Sequence, residues 1–177
     1  MKESISILIS EEAIRKRVAE MADKINHDYN NERLTLVCAL KGAIIFMADL
    51  SRKLNAFVDF DFISASSYGD SASPSGKVQI VKDMELNAED RHILLIEDIL
   101  DTGNTIKTLR RHILSKNPAS LKVCSLLDKP ERRMVAGIEA DYTGFTIPDK
   151  FVVGYGLDYA QRYRNLPYIG VLNIGEE

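Results

Sequence analysis

His92-Ile93-Leu94-Leu95-Ile96-Glu97-Asp98-Ile99-Leu100-Asp101-Thr102-Gly103-Asn104-Thr105, running on through Ile106-Lys107-Thr108-Leu109, is the stretch that decides how this chain folds. Ile93 to Ile96 is a short unbroken apolar run, which a strand buried on both faces requires. It stops at Glu97-Asp98. Two adjacent carboxylates are costly to bury without partners, so they belong at the strand's carboxyl end, facing a cleft. Asp101 to Thr105 then sets small hydrogen-bonding residues around one glycine. This composition suits a tight loop whose backbone N–H groups converge on an anion and lead into a helix. Ile106, Leu109 and Ile113 give that helix an apolar stripe, with Arg110 and Arg111 on other faces.

The charges around this loop narrow the ligand. An anion cradle normally avoids carboxylates, yet three lie within a few residues of this one. The conflict resolves if the ligand carries more than a phosphate. Glu97 and Asp98 then accept hydrogen bonds from vicinal sugar hydroxyls, or face a divalent cation held by further phosphates. Asp101 is left free to take a proton. Taken alone, the acidic pair reads equally as a strand end whose Asp101 or Thr102 caps a helix.

The elements on either side extend the pattern. Ser10, Glu11 and Glu12 read as an N-cap and acidic first turn. Ile14, Val18, Met21 and Ile25 follow at helical spacing until Asn30-Asn31. Leu34 to Leu40 reads as a buried strand. It leads through Lys41-Gly42 into a helix over 43–54 with Ile44, Met47 and Leu50 or Ser51 inward. Lys41-Gly42 alone is a plain turn into a helix, but in open α/β sheets this edge is where ligands bind. In Phe57 to Ala65, Val58, Phe60 and Phe62 alternate with Asp59 and Asp61, which predicts a sheet edge or a one-sided sheet. Residues 66–76 are rich in Ser, Gly and Pro, a long loop before the strand Val78–Val81. Leu121 to Leu127 reads as another buried strand ending in Asp128-Lys129-Pro130, and Leu166 to Leu172 as the last strand.

With Glu-Asp-Ile-Leu-Asp-Thr-Gly-Asn-Thr over 97–105, the chain resembles the type I phosphoribosyltransferases, in the spelling of the hypoxanthine-guanine phosphoribosyltransferases of purine salvage. Leu40-Lys41-Gly42, Asp128-Lys129 and Ile147 to Tyr159 match the same family in order. The resemblance spans Leu34 to Leu166. One departure is Asn104, where some relatives carry lysine. That shifts the phosphate cradle toward backbone N–H groups and Thr105.

The resemblance implies one domain over 1–177: an α/β fold with a mostly parallel sheet flanked by helices, a small hood from the chain ends, and a long mobile loop. It implies that a six-oxopurine and 5-phosphoribosyl-1-pyrophosphate become nucleotide and pyrophosphate, with Mg2+. The 5-phosphate would sit on Asp101, Thr102, Gly103, Asn104 and Thr105, and the ribose hydroxyls on Glu97 and Asp98. Pyrophosphate would meet Lys41, Gly42 and Arg164; in the resembling family the peptide bond before this lysine is often cis, and the sequence leaves the isomer at Leu40-Lys41 open. Purine would meet Lys129, Phe151, Val152 and Asp158, although Phe151 alone reads as a core aromatic. Glu97, Asp98 and Asp158 would serve the metal, and Ser67-Tyr68 a lid. Asp101 would be the proton acceptor, with Lys129 and Arg164 as the other catalytic groups. A homodimer or homotetramer is expected from the family.

Composition sets the outer bounds. The 177 residues are 45% hydrophobic and 28% charged, ordinary for a globular chain, and the net charge of −3 argues against a nucleic-acid surface. That weighs against a nucleotide-sensing regulator of nucleic acid on the same fold. A xanthine-preferring transferase stays open, because Lys129 and backbone groups do not separate the six-oxopurines. No apolar run approaches the roughly 20 residues that span a bilayer, and Met1-Lys2-Glu3-Ser4 lacks a signal-peptide pattern. Cys38 and Cys124 sit in apolar runs, so free buried thiols and a cytoplasmic setting are expected. His27, His92 and His112 share no metal-like spacing. No G-x-x-x-x-G-K-[ST] occurs, and Gly154-Tyr155-Gly156 lacks the third glycine of a dinucleotide fingerprint.

Overall fold

Leu34–Leu40 (β2), Val58–Ser67 (β3), Val78–Lys82 (β4), His92–Leu100 (β5), Ser120–Asp128 (β6) and Tyr142–Thr146 (β7) form a six-stranded sheet in the order β4-β3-β2-β5-β6-β7. All neighbours are parallel except the β3–β4 pair at one edge. A computed structural model describes residues 2–30, 32–67 and 78–175 of the chain. The resemblance's mostly parallel sheet is therefore present, with one antiparallel edge strand.

The unbroken apolar runs of the central strands follow from burial on both faces. On one face Leu36, Cys38, Leu94, Ile96 and Cys124 pack beneath the helices Glu11–Tyr29 (α1) and Ile44–Ser51 (α2). On the other face Val37, Ala39, Ile93, Leu95 and Val123 pack against Ile106, Leu109 and Ile113 of Asn104–Leu114 (α3). The alternation along each strand sends successive side chains to opposite cores. Burying each such aliphatic side chain is worth about 1.5–3 kcal/mol, so this packing dominates the stability. Both cysteines are buried free thiols, and loss of solvent pushes Cys38 up to about 12.

Ser10 caps α1 by accepting from the Ala13 N–H at 3.2 Å, and Asn30 ends the helix in the left-handed region with φ 42°. Other expectations need correction. The second helix is shorter than 43–54, and Ile44 is 45% exposed while Phe46, Met47, Leu50 and Ser51 face inward. Strand β3 is not an edge, because β4 covers its outer side. Its Asp61 is buried, since the turn after β4 supplies it with backbone donors.

A second, three-stranded sheet stands apart in the order β1-β9-β8: Lys2–Ile9 (β1), Ile169–Gly175 (β9) and Val152–Val153 (β8). It unites the two ends of the chain, as the hood expectation requires. Strand β1 has no counterpart among the elements predicted from sequence, and the last strand begins at Ile169 rather than at Leu166. Leu166 instead accepts from the Tyr155 N–H at 2.8 Å, so 166–168 belongs to the turn bracing 154–157.

Candidate active site

From β2 the chain passes to β3 on one side, then returns through β4 to β5 on the other side of β2. The connections leaving β2 and β5 therefore diverge, opening a crevice beyond their carboxyl ends, the general ligand position in open α/β sheets. Lys41-Gly42 leaves β2 into this crevice, and Asp101 to Thr105 leaves β5. The peptide bond between Leu40 and Lys41 is cis.

Gly42 is the packing centre of the crevice. A Cβ there would lie 1.5 Å from Asp98 Oδ2, and a Cβ on Gly156 would lie 1.9 Å from the Gly42 carbonyl oxygen. Gly156 has φ +103°, a conformation that side chains disfavour. Three segments distant in sequence thus meet, backbone against backbone at Gly42 and Gly156, with the Asp98 side chain seated on Gly42. Arg164 joins the group by donating to the Gly156 carbonyl at 2.7 Å.

The acidic pair is held in a costly state. Glu97 is only 8% exposed and its Oε2 is buried without a hydrogen-bond partner. Burial, then the neighbouring charge of Asp98, pushes the Glu97 carboxyl well above its ordinary range. Burial also raises Asp98, against the pull of the Ile99 N–H donating at 2.7 Å and the charge of Arg164. Burial thus makes both carboxyls easier to protonate than free ones. An orphaned acceptor on a buried acid pair fits either a hydroxyl donor or a hard cation. No three His, Cys, Asp or Glu side chains gather into an all-protein metal site among the described residues. Asp158 stands apart from Glu97 and Asp98, pairing with Arg164 at 2.7 Å and accepting from the Gln161 N–H at 2.8 Å. Magnesium suits such a set, because it commonly binds one or two carboxylates together with substrate phosphates and water.

Past β5, Gly103 takes φ +87° as the N-cap of α3 and makes no side-chain cap. Apart from that of Asn104, the opening N–H groups of α3 thus face the loop without a capping side chain, the arrangement that binds anions at helix starts. Asn104 N–H leans on Thr102 Oγ1 at 3.4 Å. Beside this loop, Asp101 Oδ1 is buried with no hydrogen-bond partner, although Arg132 Nε lies 3.1 Å away. That arginine N–H is not aimed at the oxygen. Lys129 is brought next to it because its backbone N–H donates to the Leu100 carbonyl at 3.0 Å.

Lys129 is itself buried, and its Nζ donates to the Lys150 carbonyl at 2.5 Å. That bond ties the end of β6 to the segment before Phe151. Phe151 is 55% exposed and meets Tyr159 edge to face at 5.7 Å, so the core-aromatic reading fails for it. Val152 is buried in β8. Of the lid pair, Ser67 ends β3 and Tyr68 lies outside the described residues, as does most of the 66–76 loop. His92 sits at the opposite, amino end of β5 between Ser120 at 2.8 Å and Glu32 at 3.0 Å, away from the crevice.

Three residues here escaped the sequence reading. Arg133 donates to the carbonyls of Leu100 (3.1 Å) and Asp101 (2.6 Å) and pairs with Asp128, fixing the loop backbone. Arg132 contacts Asp101, and Asp149 lies 3.8 Å from Lys129 Nζ. The available signal was two adjacent arginines just past a strand end, in a chain with carboxylates at the same sheet edge. A cavity of about 470 Å³ between α1, α2 and residues 155–167 contains none of these groups. There the Tyr155 hydroxyl is satisfied by Asp49 at 2.7 Å, so the chemistry is assigned to the crevice.

Residues 4–160 match the phosphoribosyl transferase domain model. The chain is 49% identical over 173 residues to a hypoxanthine-guanine phosphoribosyltransferase of Bacillus subtilis, covering 97% of this chain and 96% of that one. It is 43% identical over 179 residues to the hypoxanthine phosphoribosyltransferase of Escherichia coli, covering both chains fully. A crystal structure of a hypoxanthine-guanine phosphoribosyltransferase from Bacillus anthracis superposes with a TM-score of 0.90 at 43% identity, over 98% of this chain and 100% of that one.

Proposed function

The chain belongs to the phosphoribosyltransferases, in their hypoxanthine-guanine branch, and from that premise we propose how its own residues divide the work. The reaction is purine salvage: a six-oxopurine displaces pyrophosphate from 5-phosphoribosyl-1-pyrophosphate and becomes a nucleotide. In this reading the N–H groups of Asp101 to Thr105 take the 5-phosphate, with Thr102 and Thr105 hydroxyls beside them. Glu97 and Asp98 accept from the ribose hydroxyls. Lys41, the Gly42 backbone and Arg164 take the pyrophosphate, Arg164 leaving Asp158 to do so.

The base stacks on the exposed face of Phe151, with the Val152 backbone and Asp158 toward its edge. Lys129 donates to the exocyclic oxygen, which selects an oxo over an amino purine. One nitrogen of the imidazole ring then attacks the anomeric carbon as the carbon–oxygen bond to pyrophosphate breaks. Asp101 accepts the proton from the opposite ring nitrogen. Glu97 and Asp98 on one side of the crevice and Asp158 on the other would hold magnesium through substrate oxygens, and the ion would neutralise charge on departing pyrophosphate.

The observation that carries this reading is the buried, unpartnered Oδ1 of Asp101, set between the anion loop and Lys129. General-base help is worth about 10²–10⁴-fold. Asp101→Asn is expected to lower kcat by that order with the KM for sugar pyrophosphate retained, measured as nucleotide formation from each six-oxopurine. Near-normal turnover would remove Asp101 from the role. A homodimer or homotetramer in the cytoplasm completes the proposal, supported by exposed Ile44, Phe57 and Phe60 and by the two free thiols.

A further inference from the structure

Arg132 closes the short 3-10 turn Pro130–Arg132 that follows β6. Its guanidinium reaches two carboxylates on separate segments: Nε lies 3.1 Å from Asp101 Oδ1, and Nη1 lies 3.6 Å from Asp149 Oδ1. Asp149 also faces Lys129 Nζ at 3.8 Å, and Lys129 grips the next carbonyl, Lys150. One side chain therefore touches both the proton acceptor and the strip that presents Phe151. An arginine usually takes a carboxylate through paired N–H groups. This one brings its charge to Asp101 but aims no N–H at Oδ1, which stays without a donor.

We infer that Arg132 is a positioning residue that sets the distance between Asp101 and the base held by residues 149–151. The inference rests on the assignment of Asp101 as proton acceptor. Asp101 and Asp149 are like charges on opposite banks of the base site, and the cation between them holds the banks together. Its failure to hydrogen-bond Oδ1 leaves that acceptor open to the ring N–H of the purine. Removing the cation lets the banks separate. The stacked base then presents its nitrogen too far from Oδ1, and proton transfer suffers more than sugar binding. Arg133 differs: it is largely buried and holds backbone carbonyls, whereas Arg132 is half-exposed, so its loss opens no core.

Steady-state kinetics with both substrates varied tests this, with thermal melts to confirm folding. Arg132→Gln is expected to lower kcat about tenfold and raise the purine KM, leaving the sugar-pyrophosphate KM within about twofold, since small misplacements of reacting groups carry costs of this kind. Arg132→Lys, which keeps the charge, is expected to recover most of the loss. In an Asp101→Asn background, Arg132→Gln should add less than about twofold, because its route runs through Asp101. A further full loss in that background overturns the inference. So does a wild-type kcat in Arg132→Gln while Asp101→Asn is crippled, a result that leaves the proton-acceptor assignment standing. A near-normal Asp101→Asn would instead remove that assignment, and the route through Arg132 with it.

Discussion

Two buried carboxylates sit in the same sheet, one strand apart, in opposite conditions. Asp61 on β3 is 3% exposed and accepts backbone N–H groups from Phe62 (2.7 Å), Glu85 (2.9 Å) and Leu86 (2.8 Å). Glu97 on β5 is nearly as deep, yet its Oε2 has no donor and its nearest charged neighbour is another carboxylate. A buried acid with every bond made holds a fold together, here by pinning the turn after β4. A buried acid left short of donors is a debt that a ligand settles. Depth alone does not separate the two; the inventory of donors does.

The comparison breaks if exchanging the treatments gives the same result. Glu97→Gln is expected to raise the KM for sugar pyrophosphate about 10–100-fold, the worth of a hydrogen bond to a charged group at about 1.5–3 kcal/mol, with folding unimpaired. Equal KM values would make Glu97 a framework residue after all. Asp61→Ala should do the reverse. Chemical denaturation should find it about 1–3 kcal/mol less stable, because the N–H groups of Glu85 and Leu86 lose their acceptor, while KM stays within about twofold.

A subtler difference appears with pH in protein free of substrate and metal. The folded state raises the Glu97 carboxyl, so it binds a proton more tightly than the unfolded chain does. Stability from this group is full below the unfolded value, near the ordinary 4.5, and drains away as pH rises through the folded value. Urea unfolding across that window should show wild type losing at most about 1.4 kcal/mol per pH unit from one proton. Glu97→Gln should run flatter, and a parallel slope in that variant would reject the shift.

The smallest effect extends the contrast to aromatics. Phe46 is fully buried, whereas Phe151 is half-exposed. Phe151→Leu should raise the purine KM by a few-fold, since an aromatic stack is worth about 0.5–1.5 kcal/mol, and leave the melting temperature in place. A lowered melting temperature with an unchanged purine KM would make Phe151 an ordinary packing residue.

These contrasts also mark what the sequence could disclose. The strand–acid–glycine run over 93–105 announced both the sheet centre and the anion loop, because burial on two faces writes an apolar run and a phosphate cradle writes a glycine. Around Asp61 the alternation predicts a sheet edge or a one-sided sheet, and the residue is buried instead: alternation reports which side of a strand a residue takes, not what later segment covers that side. Lys2–Ile9 passed unnoticed because its partner in the small sheet begins at Ile169, and a two-faced strand with Ile7 exposed makes no strong pattern by itself. Arg132, Arg133 and Asp149 acquire meaning only when the chain returns to the β5 loop. Their signal is tertiary.

The contact of Gly42 with Gly156 has a mechanical consequence. Rigid peptide planes bear on each other there, with no rotatable group to absorb a push. The backbone at Gly42 therefore fixes how closely the 154–157 turn can approach the carboxyl end of β2. A side chain at Gly156 would wedge that join apart, whereas one at Gly42 would drive into the Asp98 carboxylate instead.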